Sequence, residues 1–328
     1  MKYFLALAAF LPGAVFASTY AERPEVQAFV QQLVQRHGFA RGELNRVFKR
    51  VQRADPVLDA IARPAERVRT WEEYRALLLT ERRVTEGVGF WKKYHHTLER
   101  AARRYGVAPE YVVAIIGVET FYGRNTGSWR VVDALTTLAF DYPPRAKFFR
   151  SELEQYLLFA RTTGIDVFSV KGSYAGAMGL PQFMPSSARA YAVDFDGNGH
   201  IDLLKSRSDA IGSVANFLKQ HGWQSDADVL VDARVQGDGA WRSFVADAGF
   251  EPKHSMVALR QAGVEFDSPQ PAGAQVVLIE LASAERPSDY RVGLRNFYVI
   301  TRYNRSAFYA AAVADLAGQL RKTYDLGR

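Results

Sequence analysis

Residues 109–119 read Pro-Glu-Tyr-Val-Val-Ala-Ile-Ile-Gly-Val-Glu, a helical segment in which Val112, Val113, Ile115 and Ile116 leave almost no polar face. A helix that is apolar nearly all round cannot lie on a surface, so it has to be the buried centre on which other elements pack. Pro109 suits its first position, where an N–H would have no helical partner and φ is already helical. The far end is unusual. Glu119, between Val118 and Thr120-Phe121-Tyr122-Gly123, puts a carboxylate where burial is costly. Low polarity would raise its pKa and keep it protonated, as a general acid requires. A glutamate that caps or bridges a helix terminus fits the same spacing.

Other helices are predicted around this centre. Over 24–39, Val26, Phe29, Val30, Leu33 and Val34 recur at three- and four-residue intervals and His37-Gly38 closes the segment. Shorter helices fit 41–51 and 55–63, and a long one fits 82–105, with Gly106 placed as a C-terminal glycine. Residues 128–222 continue as helices, interrupted by a glycine- and serine-rich loop over 171–187. After Trp223 the texture changes: 229–235 alternates, 275–281 is β-branched and apolar, and 297–301 also reads as strand. Asp238-Gly239 and 269–273 supply turns, and an alanine-rich helix over 306–324 ends the chain. The expected class is mainly α (α+β). An N-terminal helical domain spans 18–80, a helical core 81–222, a small β-rich insertion 223–293, and 294–328 returns to the core.

Composition removes several functions. Of 328 residues, 48% are hydrophobic and 23% charged, ordinary globular values that argue against disorder, collagen and coiled coil. Cysteine is absent, which excludes disulfides, thiolate metal sites, a cysteine nucleophile and an acylated lipoprotein anchor. The six histidines are scattered and form no HExxH. Residues 1–17 read as a Sec-type signal peptide: Lys2, an apolar stretch, Pro12-Gly13, then Val15-Phe16-Ala17 before Ser18. Its removal takes one lysine and leaves a formal charge of +6. An exported, basic, soluble chain with no transmembrane segment is better matched to an anionic wall polymer than to nucleic acid.

Asp194-Phe-Asp196-Gly-Asn198-Gly-His200-Ile-Asp202 is the sharpest local pattern. Oxygen-bearing side chains at positions 1, 3, 5 and 9, with glycine at 6, form the EF-hand arrangement for a hard cation. Position 12 is Lys205 instead of glutamate, and Asp209 is the carboxylate that a longer loop would use. An ordinary Asp/Asn/Gly turn is the other reading. In the 171–187 loop, Ser173 and Gln182 offer hydrogen bonds, and Tyr174, Met178, Phe183 and Met184 offer apolar walls, as a polar polymer requires of a groove; a packed loop between helices is the alternative.

Together these residues resemble the membrane-bound lytic transglycosylase B family, peptidoglycan-cleaving enzymes of Gram-negative bacteria. The resemblance spans roughly 70–320 and rests on Gly117-Val-Glu119-Thr, Gly-Ser-x-Ala-Gly-Ala-Met-Gly…Gln-Phe-Met-Pro-Ser-Ser, the Asp-Phe-Asp-Gly loop, Asp209-Ala-Ile-Gly-Ser-Val-Ala-Asn and Asn296-Phe-Tyr-x-Ile-Thr-Arg-Tyr-Asn304. It implies a lysozyme-like core, Glu119 as sole acid and base, and a glycan groove lined by Tyr74, Ser173, Gln182, Phe183, Tyr303, Asn304 and Tyr309. It also implies structural calcium on Asp194, Asp196, Asn198, the His200 carbonyl and Asp209, with no organic cofactor. Where the family often carries two arginines after Tyr-Pro, this chain has Pro144-Arg145, so only Arg145 is left for a carboxylate contact. The implied setting is the periplasm, with peptidoglycan strands and wall-synthesis proteins as partners and no nucleic acid. The implied reaction cleaves the bond between N-acetylmuramic acid and N-acetylglucosamine without water. A hydrolytic muramidase would use the same acid and favour a second carboxylate, with Asp133, Asp141 and Glu152 the next acids along the sequence. A non-catalytic, calcium-stabilised wall-binding module would not need Glu119 at all.

Overall fold

The computed structural model describes residues 19–62, 70–247, 249–267, 273–284 and 287–327. The expected signal peptide over 1–17 and most of the turn over 269–273 lie outside these residues.

Three short helices lead: α1 (Pro24–His37), α2 (Arg41–Arg50) and α3 (Asp55–Ala62). Gly38, at φ 65°, stops α1 by turning its N–H back onto the Val34 carbonyl. α4 (Trp71–Leu78) begins with a capping box between Thr70 and Glu73. α5 (Glu81–Tyr105) ends at Gly106, φ 70°, and α6 (Pro109–Thr120) starts three residues on. α6 is buried from Val112 to Gly117 and again at Thr120, packed among α5 and two later helices, α10 (Arg207–Gln220) and α13 (Ala307–Leu326). Each fully buried Val or Ile there contributes roughly 1.5–3 kcal/mol. Between them run α7 (Val131–Asp141), buried from Val131 to Ala139, α8 (Ala146–Thr163) packed along it, and α9 (Pro185–Tyr191). The ribbon β1 (Trp129–Arg130) with β2 (Lys171–Gly172) opens the 171–187 loop.

The β-rich part is one antiparallel sheet, in the order β4 (His254–Ser255), β6 (Gln275–Leu281), β7 (Asp289–Gly293), β3 (Leu230–Val235), β5 (Val264–Phe266), with α11 (Met256–Gln261) beside it. β6 shows why it stays attached to the helices. Successive strand residues face opposite ways. Val277, Ile279 and Leu281 enter the main core, while Val276 and Leu278 join a second cluster with Trp241, Met256, Leu259 and Val292. Arg291 on β7 also reaches Asp315 on α13 at 2.5 Å.

One sequence expectation fails. Residues 297–301 are not a strand but the middle of helix α12 (Arg295–Tyr303). Phe-Tyr-Val-Ile-Thr has high β propensity, yet Asn296, Phe297, Val299, Ile300 and Thr301 are buried while Arg295, Tyr298 and Arg302 share the opposite face at helical spacing. Tertiary packing overrides the local preference.

Candidate active site

Glu119 occupies the last turn of α6, and the turn that follows is held under constraint. Phe121 and Tyr122 both take left-handed conformations, φ 50° and 60°, which cost non-glycine residues of order 1 kcal/mol each. Tyr122 folds back and donates its hydroxyl to the Arg83 carbonyl at 2.8 Å. Its ring lies over Gly117, where an added Cβ would come within 2.6 Å of the tyrosine oxygen. The buried Thr120 hydroxyl accepts from the Gly123 N–H at 3.0 Å and lies 3.0 Å from the Leu180 carbonyl, tying the end of α6 to the 171–187 loop. Thr120 and Tyr122 were not singled out by sequence reasoning. A glycine inside an otherwise apolar helix was the available signal that something approaches closely.

Among the described residues Glu119 makes one hydrogen bond: the Tyr309 hydroxyl donates to its Oε1 at 2.5 Å. No lysine, arginine or histidine among those residues pairs with it. Burial pushes the carboxyl up to about 7, against the pull of the Tyr309 hydroxyl toward the charged form. The residue nevertheless keeps partial solvent access. Its carboxyl can therefore hold a proton near neutral pH and has an opening beside it.

Tyr309 sits in the first turn of α13, started by Ser306, and its ring lies nearly parallel to Tyr303 with centroids 6.5 Å apart. Tyr303 donates to the Pro181 carbonyl at 2.6 Å. Burial first, then the charge of Glu119, hold both phenols well above their ordinary range, so both remain donors. Glu119, Tyr309 and Tyr303 thus bring α6, α13, α12 and the 171–187 loop to one place.

The other sequence-predicted residues fall around this point to different degrees. Gln182, at φ 48°, donates its amide to the Thr126 and Gly179 carbonyls at 3.1 and 2.9 Å, which leaves its side-chain oxygen without a partner among the described residues. The Ser173 hydroxyl accepts from the Ala177 N–H at 3.0 Å and keeps its own hydrogen to give. Tyr74 lies on α4 against Phe308, ring centroids 5.8 Å apart. Asn304 is exposed. Phe183 is only 2% exposed and packs on Phe217 and Tyr303, so in this structure it supports Tyr303 from behind. Met178 is likewise buried, whereas Tyr174 is 42% exposed. Arg145 is exposed, stacked on Phe148 and Phe149, and no contact joins it to the Glu119 cluster among the described residues.

The three carboxylates that follow Glu119 in sequence are occupied elsewhere. Asp133 accepts from the Gln52 N–H and Arg130, Asp141 holds Tyr20 and Arg23, and both oxygens of Glu152 accept from Ser186. None supplies a second acid beside Glu119.

The acidic loop forms a separate centre. Carboxylate oxygens of Asp194, Asp196 and Asp209 lie within 4.8 Å of one another. Asp194 accepts from the N–H groups of Gly197 and Gly199, each at 2.7 Å, and of Asn198 at 3.2 Å. Desolvation raises its pKa, but these backbone donors together hold it below the usual carboxylate range. Asp209, fully buried, accepts from the N–H groups of Phe195, Asp196 and Asp202, so it joins both ends of the loop. Asn198 accepts from the His200 N–H, and His200 itself is exposed. Asp202 instead caps the next turn, accepting from Leu204 and Lys205. Three carboxylates and an amide carbonyl are a hard, all-oxygen donor set that fits calcium.

Comparison with known proteins bears on the whole chain. Residues 21–318 match the family model described as the transglycosylase SLT domain. Membrane-bound lytic murein transglycosylase B of Escherichia coli (strain K12) is 43% identical over 306 residues, covering 90% of this chain and 82% of that protein. The crystal structure of soluble lytic transglycosylase SltB1 from Pseudomonas aeruginosa is 51% identical with a TM-score of 0.87, covering 92% of this chain and 99% of the other. Escherichia coli lytic transglycosylase Slt35, solved in complex with calcium, is 42% identical with a TM-score of 0.83 over 93% of this chain and 95% of its own. The helical body is thus the lysozyme-like fold of these enzymes, and the chain belongs to the transglycosylase SLT-domain family as a lytic transglycosylase.

Proposed function

We propose that the substrate is peptidoglycan and that Glu119 carries the reaction alone. The observation behind this is a single carboxyl, raised to about 7 and touched by one hydroxyl among the described residues, with Asp133, Asp141 and Glu152 committed to structure. Glu119 gives its proton to the oxygen between N-acetylmuramic acid and N-acetylglucosamine as the C1–O bond breaks. The muramoyl N-acetyl carbonyl assists from the opposite face, a substrate-assisted variant of two-carboxylate glycoside cleavage. Glu119, now a carboxylate, takes the proton of the sugar's own C6 hydroxyl, whose oxygen bonds to C1 and closes a 1,6-anhydro ring. No water is consumed, and Glu119 ends protonated. Tyr309 orients the carboxyl through both steps. Tyr74, Ser173, Gln182, Tyr303 and Asn304 line the strand's path, Phe183 backs it, and Arg145 meets a carboxylate of the substrate.

Asp194, Asp196, Asn198, the His200 carbonyl and Asp209 would hold calcium, which when bound cross-links the loop between α9 and α10. No helix among the described residues is long and apolar enough to cross a membrane. With the signal-like start and no cysteine to acylate, a soluble periplasmic enzyme fits best, in line with the soluble relative. Mass spectrometry of digested peptidoglycan tests the reading. Fragments ending in anhydro sugars, one water lighter than lysozyme products, are expected; reducing ends would make the protein a hydrolase, and uncut strands a binding module.

A further inference from the structure

Gly87 on α5 and Gly117 on α6 both have ordinary helical backbones, so neither serves a turn. Glycine inside a helix is unfavourable relative to alanine, and its physical use there is close approach. Tyr122 makes that approach at both positions. A Cβ added at Gly117 would lie 2.6 Å from the Tyr122 hydroxyl oxygen, and one at Gly87 would strike the same oxygen and the Leu320 side chain. Gly89, on the same helix, is exposed and a Cβ there would meet nothing within 4 Å. The Tyr122 phenol donates to the Arg83 carbonyl at 2.8 Å, and its ring packs on Phe90 with centroids 5.6 Å apart.

This wedge brackets the acid. Gly117 precedes Glu119 by two residues and Tyr122 follows it by three, so their contact closes the stretch on itself. Inside it the N–H groups of Phe121 and Tyr122 donate back to the Gly117 and Ile116 carbonyls at 3.1 and 3.3 Å. The outer residue of the turn is held as well. The Arg82, Arg83 and Arg124 guanidinium groups lie 5.5, 5.0 and 5.9 Å from the Phe121 ring centre. Glu86 pairs with Arg82 at 2.9 Å and with Arg124 at 2.7 Å. Two successive left-handed residues that are not glycine persist only where the surroundings over-determine them, as they do here. Leu320 belongs to α13, which carries Tyr309 in its first turn, so one slot sets how α5, α6 and α13 meet.

We infer that Tyr122 is a positioning residue for the reaction: wedged between Gly87 and Gly117, it fixes the main chain around Glu119 and so seats the carboxyl on the Tyr309 hydroxyl. The inference rests on the reading of Glu119 as the acid. Tyr122 is only 9% exposed, so it acts through Glu119 and not on the substrate. Misplacing a reacting group by about 1 Å can cost about a hundredfold in rate, and a side chain that removes such slack acts on kcat.

The test uses the full-length protein on intact sacculi, well below the Tm of each variant. Tyr122→Leu and Gly117→Ala attack the wedge from its two sides, and each should lower kcat about a hundredfold with KM within about twofold of wild type. Gly89→Ala is the matched control and should leave kcat unchanged. Tyr309→Phe should cost about tenfold alone but less than about twofold in the Tyr122→Leu background, where the carboxyl no longer sits on that hydroxyl. The same cost in both backgrounds, or a loss of kcat/KM carried by KM, would leave Tyr122 with a role in folding alone and overturn the inference. If those two variants do not fold, Tyr122→Phe carries the test. Loss of the Arg83 bond should lower kcat about threefold and shrink the cost of Tyr309→Phe to about threefold. An unchanged kcat with an undiminished Tyr309→Phe cost would overturn it. A Glu119→Gln protein with the wild-type rate overturns the reading of Glu119 as the acid; an inactive Glu119→Gln beside Tyr122 variants of wild-type kcat overturns only the wedge.

Discussion

Glu119 and Asp194 are carboxylates of one molecule placed in opposite surroundings. Glu119 stands at the carbonyl end of a buried helix, where free N–H groups are lacking, and one phenol is its hydrogen-bond shell among the described residues. Asp194 stands in a loop bent by Gly197 and Gly199, whose N–H groups converge on it together with that of Asn198. The first surround favours the neutral acid, the second the anion. One group can give a proton, and the other can only attract a cation. The sequence letter is nearly the same; burial around the one and backbone donors around the other decide the chemistry.

The largest expected effect comes from removing the titrating proton. Glu119→Gln keeps size and hydrogen bonding, and should lower cleavage of sacculi roughly ten-thousand-fold, since one group serves both proton transfers. Its stability should move the other way. The folded protein holds the Glu119 proton up to about pH 7 while the unfolded chain releases it near 4.5, so wild-type stability is full below about 4.5 and falls as pH rises through 7. Glu119→Gln escapes that loss. It should be more stable than wild type by up to about 3 kcal/mol near pH 8 in denaturant titrations, with little difference near pH 4.5.

The acidic loop should respond to metal where Glu119 does not. Calcium at about a hundred times its Kd should add about 2.7 kcal/mol of stability, read as a rise in Tm of metal-free protein. Asp194→Ala should abolish that rise, and magnesium should reproduce it poorly because it resists giving up its waters. An unchanged melting curve would return the loop to an ordinary turn.

Tyr309→Phe should have the smallest effect and sharpens the contrast most finely. It removes the one donor that favours the charged form of Glu119, so the alkaline limb of the pH–rate profile should move above 7 while kcat falls about tenfold. A limb that moves down, or stays, would mean that Tyr309 does not set the carboxyl's charge.

Much of the scaffold was legible because its punctuation is chemical. Gly38 and Gly106 end helices in left-handed turns, Pro109 begins one, and β6 matches the β-branched run 275–281. The 297–301 segment misled because five residues of aromatic and β-branched type fit either period; the nine-residue window from Arg295 shows the polar face at 295, 298 and 302. Glu119 stood out as a charge at the end of an apolar helix. Its partner could not be read from spacing, because Tyr309 is 190 residues away and arrives only through the packing of α13 on α6. The strain at Phe121 and Tyr122 was also hidden, since neither residue type advertises a left-handed backbone.

The most direct measurement is the pKa of the Glu119 carboxyl itself, followed by carbon-13 NMR in the free enzyme with Glu119→Gln assigning the resonance. A titration midpoint near 7 is the expected result. A midpoint in the ordinary glutamate range, near 4.3, would mean that Glu119 is solvated and ionised at neutral pH, and would contradict its role as the acid.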